Sequence, residues 1–258
     1  MFNVVSLTPD LVLPSNRSAS QKYCLVGLDA AAYHAIAQEF NGFFNITFTY
    51  KLSSDITIPY VVVKDENDEI IGPKLDMRWK TLSEMNETSD YVKSKLGNKH
   101  IAAAWIVSHC ETPWRRIYAQ ALQHELAKHG HILDIYGKCG TKQCLKGGYG
   151  ICGTFMCPQF ERMDECLAII ESDYYFYLSF ENSFGEDYVT EKLLHALEHF
   201  TVPVVFGGAN YGSTFQYIAE WWNEEQPPWP TINPDNGTQN EVEKFLTNLI
   251  DFFNPPSD

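Results

Sequence analysis

The stretch Phe176-Tyr-Leu-Ser-Phe-Glu-Asn-Ser-Phe-Gly-Glu-Asp-Tyr-Val-Thr-Glu-Lys192 decides the fold. Its apolar start predicts a strand at residues 174–180, and after a polar loop its end predicts a helix at residues 189–199. A strand, a loop and a helix in this order present free backbone N–H groups and a positive dipole at the helix start, which suits a diphosphate. Lys192 adds a positive charge there, and Glu191 offers oxygens to sugar or ribose hydroxyls. The alternative is an ordinary solvated helix end.

Apolar strands alternate with amphipathic helices on either side of this stretch. Further strands are predicted at residues 101–107, 131–136 and 202–206, and helices at 113–129, near 160–171 and at 240–253. Strands separated by helices of this length imply a parallel sheet covered on both faces, with ligands gathered at the carboxyl ends of its strands.

The chain before residue 98 is less regular. Runs rich in β-branched and aromatic residues at 43–52 and 56–63 predict a small sheet with irregular joins. A polar stretch at 85–99 predicts a linker or a surface helix. We therefore predict two domains, residues 1–98 and residues 99–258.

Charge and composition exclude some classes of function. The 258 residues carry a formal net charge of −14, which argues against nucleic-acid binding because that affinity comes largely from Lys and Arg. The first 14 residues mix polar residues and prolines into their apolar ones, so they predict neither a signal peptide nor a membrane anchor. Four Asn-x-Ser/Thr sequons favour a secretory-pathway protein whose natural N-terminus is missing here; they begin at Asn16, Asn45, Asn86 and Asn236.

The seven cysteines are odd in number, so at least one is free or pairs outside the chain. Four of them fall in one glycine-rich stretch: Cys139, Cys144, Cys152 and Cys157. Their spacing is wider than that of a zinc knuckle, so disulfides are favoured over zinc. His195 and His199 lie four residues apart on one predicted helix, and we interpret them as surface or core-edge residues.

A second strand end carries positive charge. The segment Ile106-Val-Ser-His-Cys-Glu-Thr-Pro-Trp-Arg-Arg-Ile-Tyr118 turns from a strand into a helix. Arg115 or Arg116 can clamp phosphate oxygens there, and the alternative is a plain surface arginine. No Walker loop occurs, and no Gly-x-Gly-x-x-Gly follows a strand, so the common nucleotide-binding motifs are absent from the sequence.

These segments together resemble the α-1,3/4-fucosyltransferases of glycosyltransferase family ten, of the invertebrate type. The matching motifs are Ser179-Phe-Glu-Asn-Ser183 with Glu186-Asp-Tyr-Val-Thr-Glu-Lys192, Ala104-Trp-Ile-Val-Ser-His109 with Arg115 and Tyr118, Asp134-Ile-Tyr-Gly-Lys-Cys139, and Phe44-Asn-Ile-Thr-Phe-Thr-Tyr50. The resemblance runs from about residue 43 to residue 211, and its donor-binding signature is long and specific.

The resemblance implies an α/β fold of GT-B type with two Rossmann-like lobes. The first lobe is expected to bind the acceptor and the second to bind the donor. It implies that Asn182, Tyr188, Glu191 and Lys192 hold GDP-fucose and that Arg115 contacts its diphosphate. Fucose then passes with inversion, in α-1,3 linkage, to a GlcNAc residue of a glycoprotein glycan. No metal is required, although stimulation by Mn²⁺ stays open. The location implied is the Golgi lumen, with a type II anchor that this chain lacks.

The catalytic base is where the resemblance is weakest. The family places its base in a Glu-Ser-Pro-type segment, and this chain has no such triplet. Counting back from Asn45 by the family's interval reaches Asp29, a shorter carboxylate, and Glu39 is a poorer candidate. An ordinary exposed aspartate is the alternative for Asp29.

Two rival functions follow. One is a catalytically impaired homologue that binds donor or glycan without efficient turnover. The other is a GT-B enzyme that uses a different nucleotide sugar.

Overall fold

The structure is a computed structural model, and it describes residues 2–5, 16, 18–30, 40–65, 67–75, 77, 87–143 and 160–211. The strands among them are β1 (Phe2–Val5), β2 (Lys22–Gly27), β3 (Ile46–Thr49), β4 (Ile56–Thr57), β5 (Val63–Lys64), β6 (Ile70–Gly72), β7 (Ile101–Ile106), β8 (Leu133–Tyr136), β9 (Tyr174–Phe180) and β10 (Val202–Phe206). The helices are α1 (Asp90–Leu96), α2 (Pro113–Lys128), α3 (Phe160–Asp173) and α4 (Glu191–Glu198).

The contacts divide the chain into two compact units. The described residues of Met1–Trp79, Ser183–Glu191 and Gly207–Gln216 form the first unit, and those of Lys80–Asn182 and Lys192–Phe206 belong to the second. The chain therefore leaves the second unit after β9, contributes nine residues to the first, and returns at Lys192. The predicted division into lobes at residue 98 stays a prediction.

The first unit contains a parallel sheet in the order β1-β2-β3-β4. Its centre is the buried run Tyr23, Cys24 and Leu25 of β2. Asp55 fastens the sheet edge, because its carboxylate accepts hydrogen bonds from the backbone N–H and the hydroxyl of Thr47, both at 2.8 Å. These two bonds hold the pKa of Asp55 below its usual range. A short antiparallel hairpin of β5 and β6 follows.

The second unit contains a parallel sheet in the order β10-β9-β7-β8. Alternate side chains of its strands point to opposite faces, as the pleat requires. On one face Trp105 packs in a core with Leu122 and Leu126 of α2. On the other face Ala104 packs in a core with Ile170 of α3 and Ala196 of α4. Helices therefore cover both faces.

Most of the predicted elements are confirmed. The α/β class and the parallel sheet with helices on both faces are as expected, and the strands predicted at residues 174–180 and 202–206 match β9 and β10. Of the two alternatives for residues 85–99, a linker or a surface helix, helix α1 supports the second. The single strand predicted at 56–63 is wrong, since β4 ends before Pro59, which lacks the N–H that a sheet requires. The helix predicted at 240–253 lies outside the described residues.

No helix among the described residues combines the length and the apolar composition needed to cross a bilayer.

Candidate functional site

A buried ion pair lies at the carboxyl end of β9. The Nζ atom of Lys192 is 3.1 Å from Oε2 of Glu181, whose side chain is 1% exposed, while that of Lys192 is 20% exposed. The hydroxyl of Ser179 donates to the Lys192 carbonyl at 2.9 Å and so ties the first turn of α4 to β9. The predicted cation is therefore in place at the strand end, and its partner is a carboxylate that the sequence did not single out.

Asn182 follows directly after that ion pair. Within the described parts of the chain, its Oδ1 atom is buried and has no hydrogen-bond partner. A buried polar atom left in this state costs about 1–3 kcal/mol, so such atoms usually mark an absent water or ligand. Asn182 is one of the predicted donor-binding residues, and its orphaned oxygen fits a ligand that donates a hydrogen bond.

Arg115 lies at the same edge of the sheet. It is buried, and its guanidinium donates to the carbonyl of Phe180 at 3.2 Å and to that of His109 at 2.7 Å. It also lies over the ring of Trp105, with Cζ 5.8 Å from the ring centroid. Arg115 thus joins the end of β9 to the segment after β7, while its neighbour Arg116 is exposed. Its predicted contact with a diphosphate stays a prediction.

The two remaining residues predicted to bind the donor lie on Ser183–Glu191, which we call the donor loop after that prediction. Tyr188 is buried in the first unit, in a cluster with Ala30, Tyr50 and Tyr60. Its ring centroid is 4.9 Å from that of Tyr50 and 6.1 Å from that of Tyr60, and both pairs meet edge to face. Glu191 is exposed at the start of α4.

Family models match most of this chain. The model described as "Glycosyltransferase family 10 (fucosyltransferase) C-term" matches residues 96–219, and the one described as "Fucosyltransferase, N-terminal" matches residues 3–61. The chain belongs to glycosyltransferase family 10. The C-terminal match, residues 96–219, contains the ion pair, the orphaned amide and the donor loop.

Curated relatives support the same family. The chain is 35% identical over 215 residues to Alpha-(1,3)-fucosyltransferase C of Drosophila melanogaster, a match that covers 82% of this chain and 46% of the relative. It is 30% identical over 197 residues to Glycoprotein 3-alpha-L-fucosyltransferase A of the same organism, covering 75% of this chain and 31% of the relative. The chain thus spans about half the length, or less, of the curated relatives it matches.

A solved structure, "Crystal Structure of alpha1,3-Fucosyltransferase with GDP-fucose", is also similar. The match has 17% identity and a TM-score of 0.41, and it covers 91% of this chain and 76% of that chain.

The candidate base of this family 10 chain is exposed. Asp29 lies in a bend two residues after β2, at the carboxyl end of a parallel strand. Its neighbour Ala30 is buried in the cluster that contains Tyr188. The role of Asp29 as base stays a prediction. Glu39 lies outside the described residues.

One disulfide orders the edge of the second sheet. Cys110, after β7, is bonded to Cys139, after β8, so Cys139 pairs outside the glycine-rich stretch. Cys166 is also disulfide-bonded, and Cys24 is free and buried. Among the described residues, no group of three or more His, Cys, Asp or Glu side chains is placed to hold a metal ion.

The interpretation of His199 as structural agrees with its contacts. Its Nδ1 atom is 3.1 Å from Oε2 of Glu171, and Lys95 reaches the other oxygen of that carboxylate at 2.6 Å. The ammonium of Lys95, followed by the imidazole of His199, holds the pKa of Glu171 below its usual range. This network joins α1, α3 and the end of α4, away from the carboxyl end of β9.

Proposed function

We propose that this chain transfers L-fucose from GDP-β-L-fucose, with inversion, to a GlcNAc residue of a glycoprotein glycan in α-1,3 linkage. The family transfers fucose, and the two relatives described above are named for α-1,3 transfer, one of them to glycoproteins. The impaired homologue has no observation in its favour.

The observation that carries the proposal is the set of polar groups at the carboxyl end of β9. A lysine in the first turn of α4 and a buried amide oxygen in need of a donor follow one strand of a parallel sheet. In open α/β sheets, ligands bind at this end of the strands. The ammonium of Lys192 suits a phosphate oxygen, and the oxygen of Asn182 suits an N–H or O–H group of the donor.

In the proposed reaction, the acceptor hydroxyl loses its proton to a carboxylate, and its oxygen bonds to C1 of fucose on the face opposite the nucleotide. The bond from C1 to the phosphate oxygen breaks at the same time, and GDP leaves with its electron pair. Lys192 stabilises the charge that develops on that oxygen. Arg115, which donates to the carbonyl of Phe180, is proposed to add a second positive charge near that oxygen.

Asp29 is the proposed base. An exposed carboxylate after β2 is accessible to an acceptor sugar and can take its proton. Asp is one methylene shorter than Glu, so the transfer rate depends strongly on the distance between the Asp29 carboxylate and the acceptor hydroxyl.

The proposed location is the Golgi lumen. Disulfides form and persist in oxidising compartments, and the bond between Cys110 and Cys139 together with the four sequons supports a place in the secretory pathway. Mn²⁺ is proposed to be dispensable. Measuring transfer in the presence of EDTA tests this.

Calorimetry with GDP-fucose, GDP-mannose and UDP-sugars tests the donor. We expect binding of GDP-fucose, weakened roughly tenfold or more in Lys192→Ala, since a hydrogen bond between charged groups is lost. Lys128→Ala is the matched control, because Lys128 is an exposed lysine at the far end of α2. Arg115→Ala is compared with Arg116→Ala, and its melting temperature is recorded because Arg115 also joins two strand ends. Preference for a UDP-sugar would contradict the proposal.

Transfer to a GlcNAc-terminated glycan tests the reaction. Asp29→Asn is expected to bind GDP-fucose as the wild type does and to lose transfer, whereas Glu69→Gln, an exposed carboxylate of the hairpin, is expected to change neither. Unchanged turnover in Asp29→Asn would eliminate Asp29 as the base. Donor binding by the wild type without any transfer would favour the impaired homologue.

A further inference from the structure

The donor loop is fastened to a turn that lies 135 residues earlier in the sequence. Three consecutive residues of that turn, Tyr50, Lys51 and Leu52, each contact the loop, and all of them belong to the first unit. These contacts precede and surround the two predicted donor residues of the loop, Tyr188 and Glu191.

The central contact is made by Asp187. Its Oδ2 atom accepts a hydrogen bond from the backbone N–H of Leu52 at 3.0 Å. Its backbone has a φ of 60°, in the left-handed region that a residue other than glycine adopts only at a cost. Asp and Asn tolerate this region best among residues with side chains. Asp187 therefore supplies both a tolerated left-handed backbone and a side-chain hydrogen-bond acceptor, and few residue types supply the two together.

The conformation of Asp187 directs the next residues. The N–H of Val189 donates to the carbonyl of Asp187 at 3.0 Å, and that of Tyr188 donates to the carbonyl of Gly185 at 3.1 Å. These two turns aim the ring of Tyr188 into its cluster with Tyr50 and Tyr60. Loss of the left-handed turn would rotate Tyr188 and shift the residues that lead to Glu191.

Neighbouring contacts confine the loop further. Lys51 and Glu186 form an ion pair at 2.9 Å, and this hydrogen bond raises the pKa of Lys51. The side chain of Lys51 is 39% exposed and that of Glu186 is 74% exposed, so the pair contributes little on its own. A side chain at Gly185 would be tightly confined, because a Cβ there would lie 3.0 Å from the hydroxyl of Tyr50 and 3.0 Å from the Cβ of Tyr188.

We propose that Asp187 is a positioning residue for the donor, which places Tyr188 and Glu191 through its hydrogen bond to Leu52 and its left-handed backbone. The inference rests on the proposed function, since it takes these two residues as ligands of GDP-fucose. Asp187 touches neither substrate in this mechanism. It acts through the loop, so it affects donor binding more than acceptor binding.

Three substitutions at this position separate backbone from carboxylate. Asp187→Asn keeps both an acceptor oxygen and tolerance of the left-handed region, Asp187→Gly keeps only the backbone freedom, and Asp187→Ala keeps neither. The matched control is Asp68→Ala. Asp68 also has a left-handed backbone, with a φ of 66°, and its exposed carboxylate pairs with Lys64, but it lies in the hairpin of β5 and β6.

The experiment measures the Kd of GDP-fucose by calorimetry, KM for donor and for acceptor, and the melting temperature of each variant. We expect Asp187→Asn to be close to wild type, Asp187→Gly to weaken donor binding roughly tenfold through the lost hydrogen bond, and Asp187→Ala to weaken it more. KM for the acceptor is expected to rise less than KM for the donor. For Asp68→Ala, the Kd and both KM values are expected to match wild type, while its melting temperature falls because alanine is strained at this left-handed position. If Asp187→Ala fails to fold, Asp187→Gly alone decides, since its backbone is unstrained.

Two outcomes would overturn the inference. One is an Asp187→Gly variant that binds GDP-fucose as tightly as the wild type does. The other is an equal rise in KM for donor and acceptor. Failure of the wild-type chain to bind GDP-fucose would instead overturn the proposed function, and the inference with it.

Discussion

Single residues show where the sequence was sufficient. Lys192 was selected because it lies in the first turn of a helix after an apolar strand, and the structure places it there. Its partner Glu181 was missed, although it lies in the same motif, because spacing does not show which of several carboxylates turns inward. Glu181 directly follows the apolar run that ends at Phe180, and this position is the signal that would have found it.

Lys99 offers a prediction at the same scale. It is buried, and its ammonium donates to the carbonyls of Ile170 and Glu171 at the end of α3. Burial lowers the pKa of Lys99 to about 8, below the ordinary lysine value of 10.5. Between these two pH values the unfolded chain binds more protons than the folded chain, so the contribution of Lys99 to the free energy of unfolding increases with pH.

Urea denaturation of wild type and Lys99→Met at several pH values measures this contribution. The difference in free energy of unfolding, wild type minus variant, is expected to rise from about pH 8 toward 10.5. Lys128→Met, at an exposed position, is the control. A difference that stays flat or falls over this window would contradict the assignment.

At the scale of elements, periodicity located the buried strands well and the irregular ones poorly. Strand β9 is flanked by α3 and α4 and buried along nearly its whole length, so its apolar run has clear limits. The predicted start of α4 was two residues early. Val189 is apolar and continues the helical pattern, but it belongs to the donor loop, whose path depends on contacts with residues 50–52 that local spacing does not contain.

The disulfide between Cys110 and Cys139 is predicted to stabilise the edge of the second sheet. It closes a loop across 29 residues, which contributes about 3 kcal/mol by restricting the unfolded chain. Replacing both cysteines by serine should lower the free energy of unfolding by this order, measured by chemical denaturation. Cys24→Ala, at the free buried thiol, should change it much less. Equal losses in the two variants would show that the cross-link contributes nothing of its own.

Gly208 is predicted to be essential for the shape of the donor loop. A Cβ at this position would lie 2.7 Å from the carbonyl carbon of Phe184 and 2.9 Å from the N and O atoms of Gly185, all of them backbone atoms that cannot rotate away. Gly208→Ala should therefore lower the free energy of unfolding by about 1–3 kcal/mol or displace the loop to relieve the clash, and a displaced loop should weaken GDP-fucose binding. Gly27→Ala is the control, because a Cβ there meets nothing within 4 Å.

At the scale of the whole molecule, the sequence suggested a boundary where composition changes, near residue 98. That boundary stays a prediction, and the contacts add that the described residues of the donor loop and of the segment after β10 group with the N-terminal sheet. Such a grouping depends on pairs more than a hundred residues apart, such as Leu52 with Asp187. Composition reports only local changes along the chain, so it could not predict that the donor loop contacts Leu52.

A fragment of residues 1–98 is therefore predicted not to fold by itself. Without Tyr188, the cluster of Ala30, Tyr50 and Tyr60 loses a buried ring, which costs about 3–5 kcal/mol, comparable to the whole stability of a small unit. Near-UV circular dichroism and urea titration of the fragment test this, with the full chain as reference. A cooperative unfolding transition in the fragment would contradict the prediction.

The path of the donor loop also bears on how enzymes of this kind can be recombined. A chimera that joins the N-terminal half of one relative to the C-terminal half of another at a single junction would combine mismatched partners at Leu52 and Asp187. Exchanging residues 183–191 and 207–211 along with the N-terminal half keeps those partners together. Libraries of hybrid glycosyltransferases built with such compound junctions should yield more soluble, folded members than libraries built with one crossover.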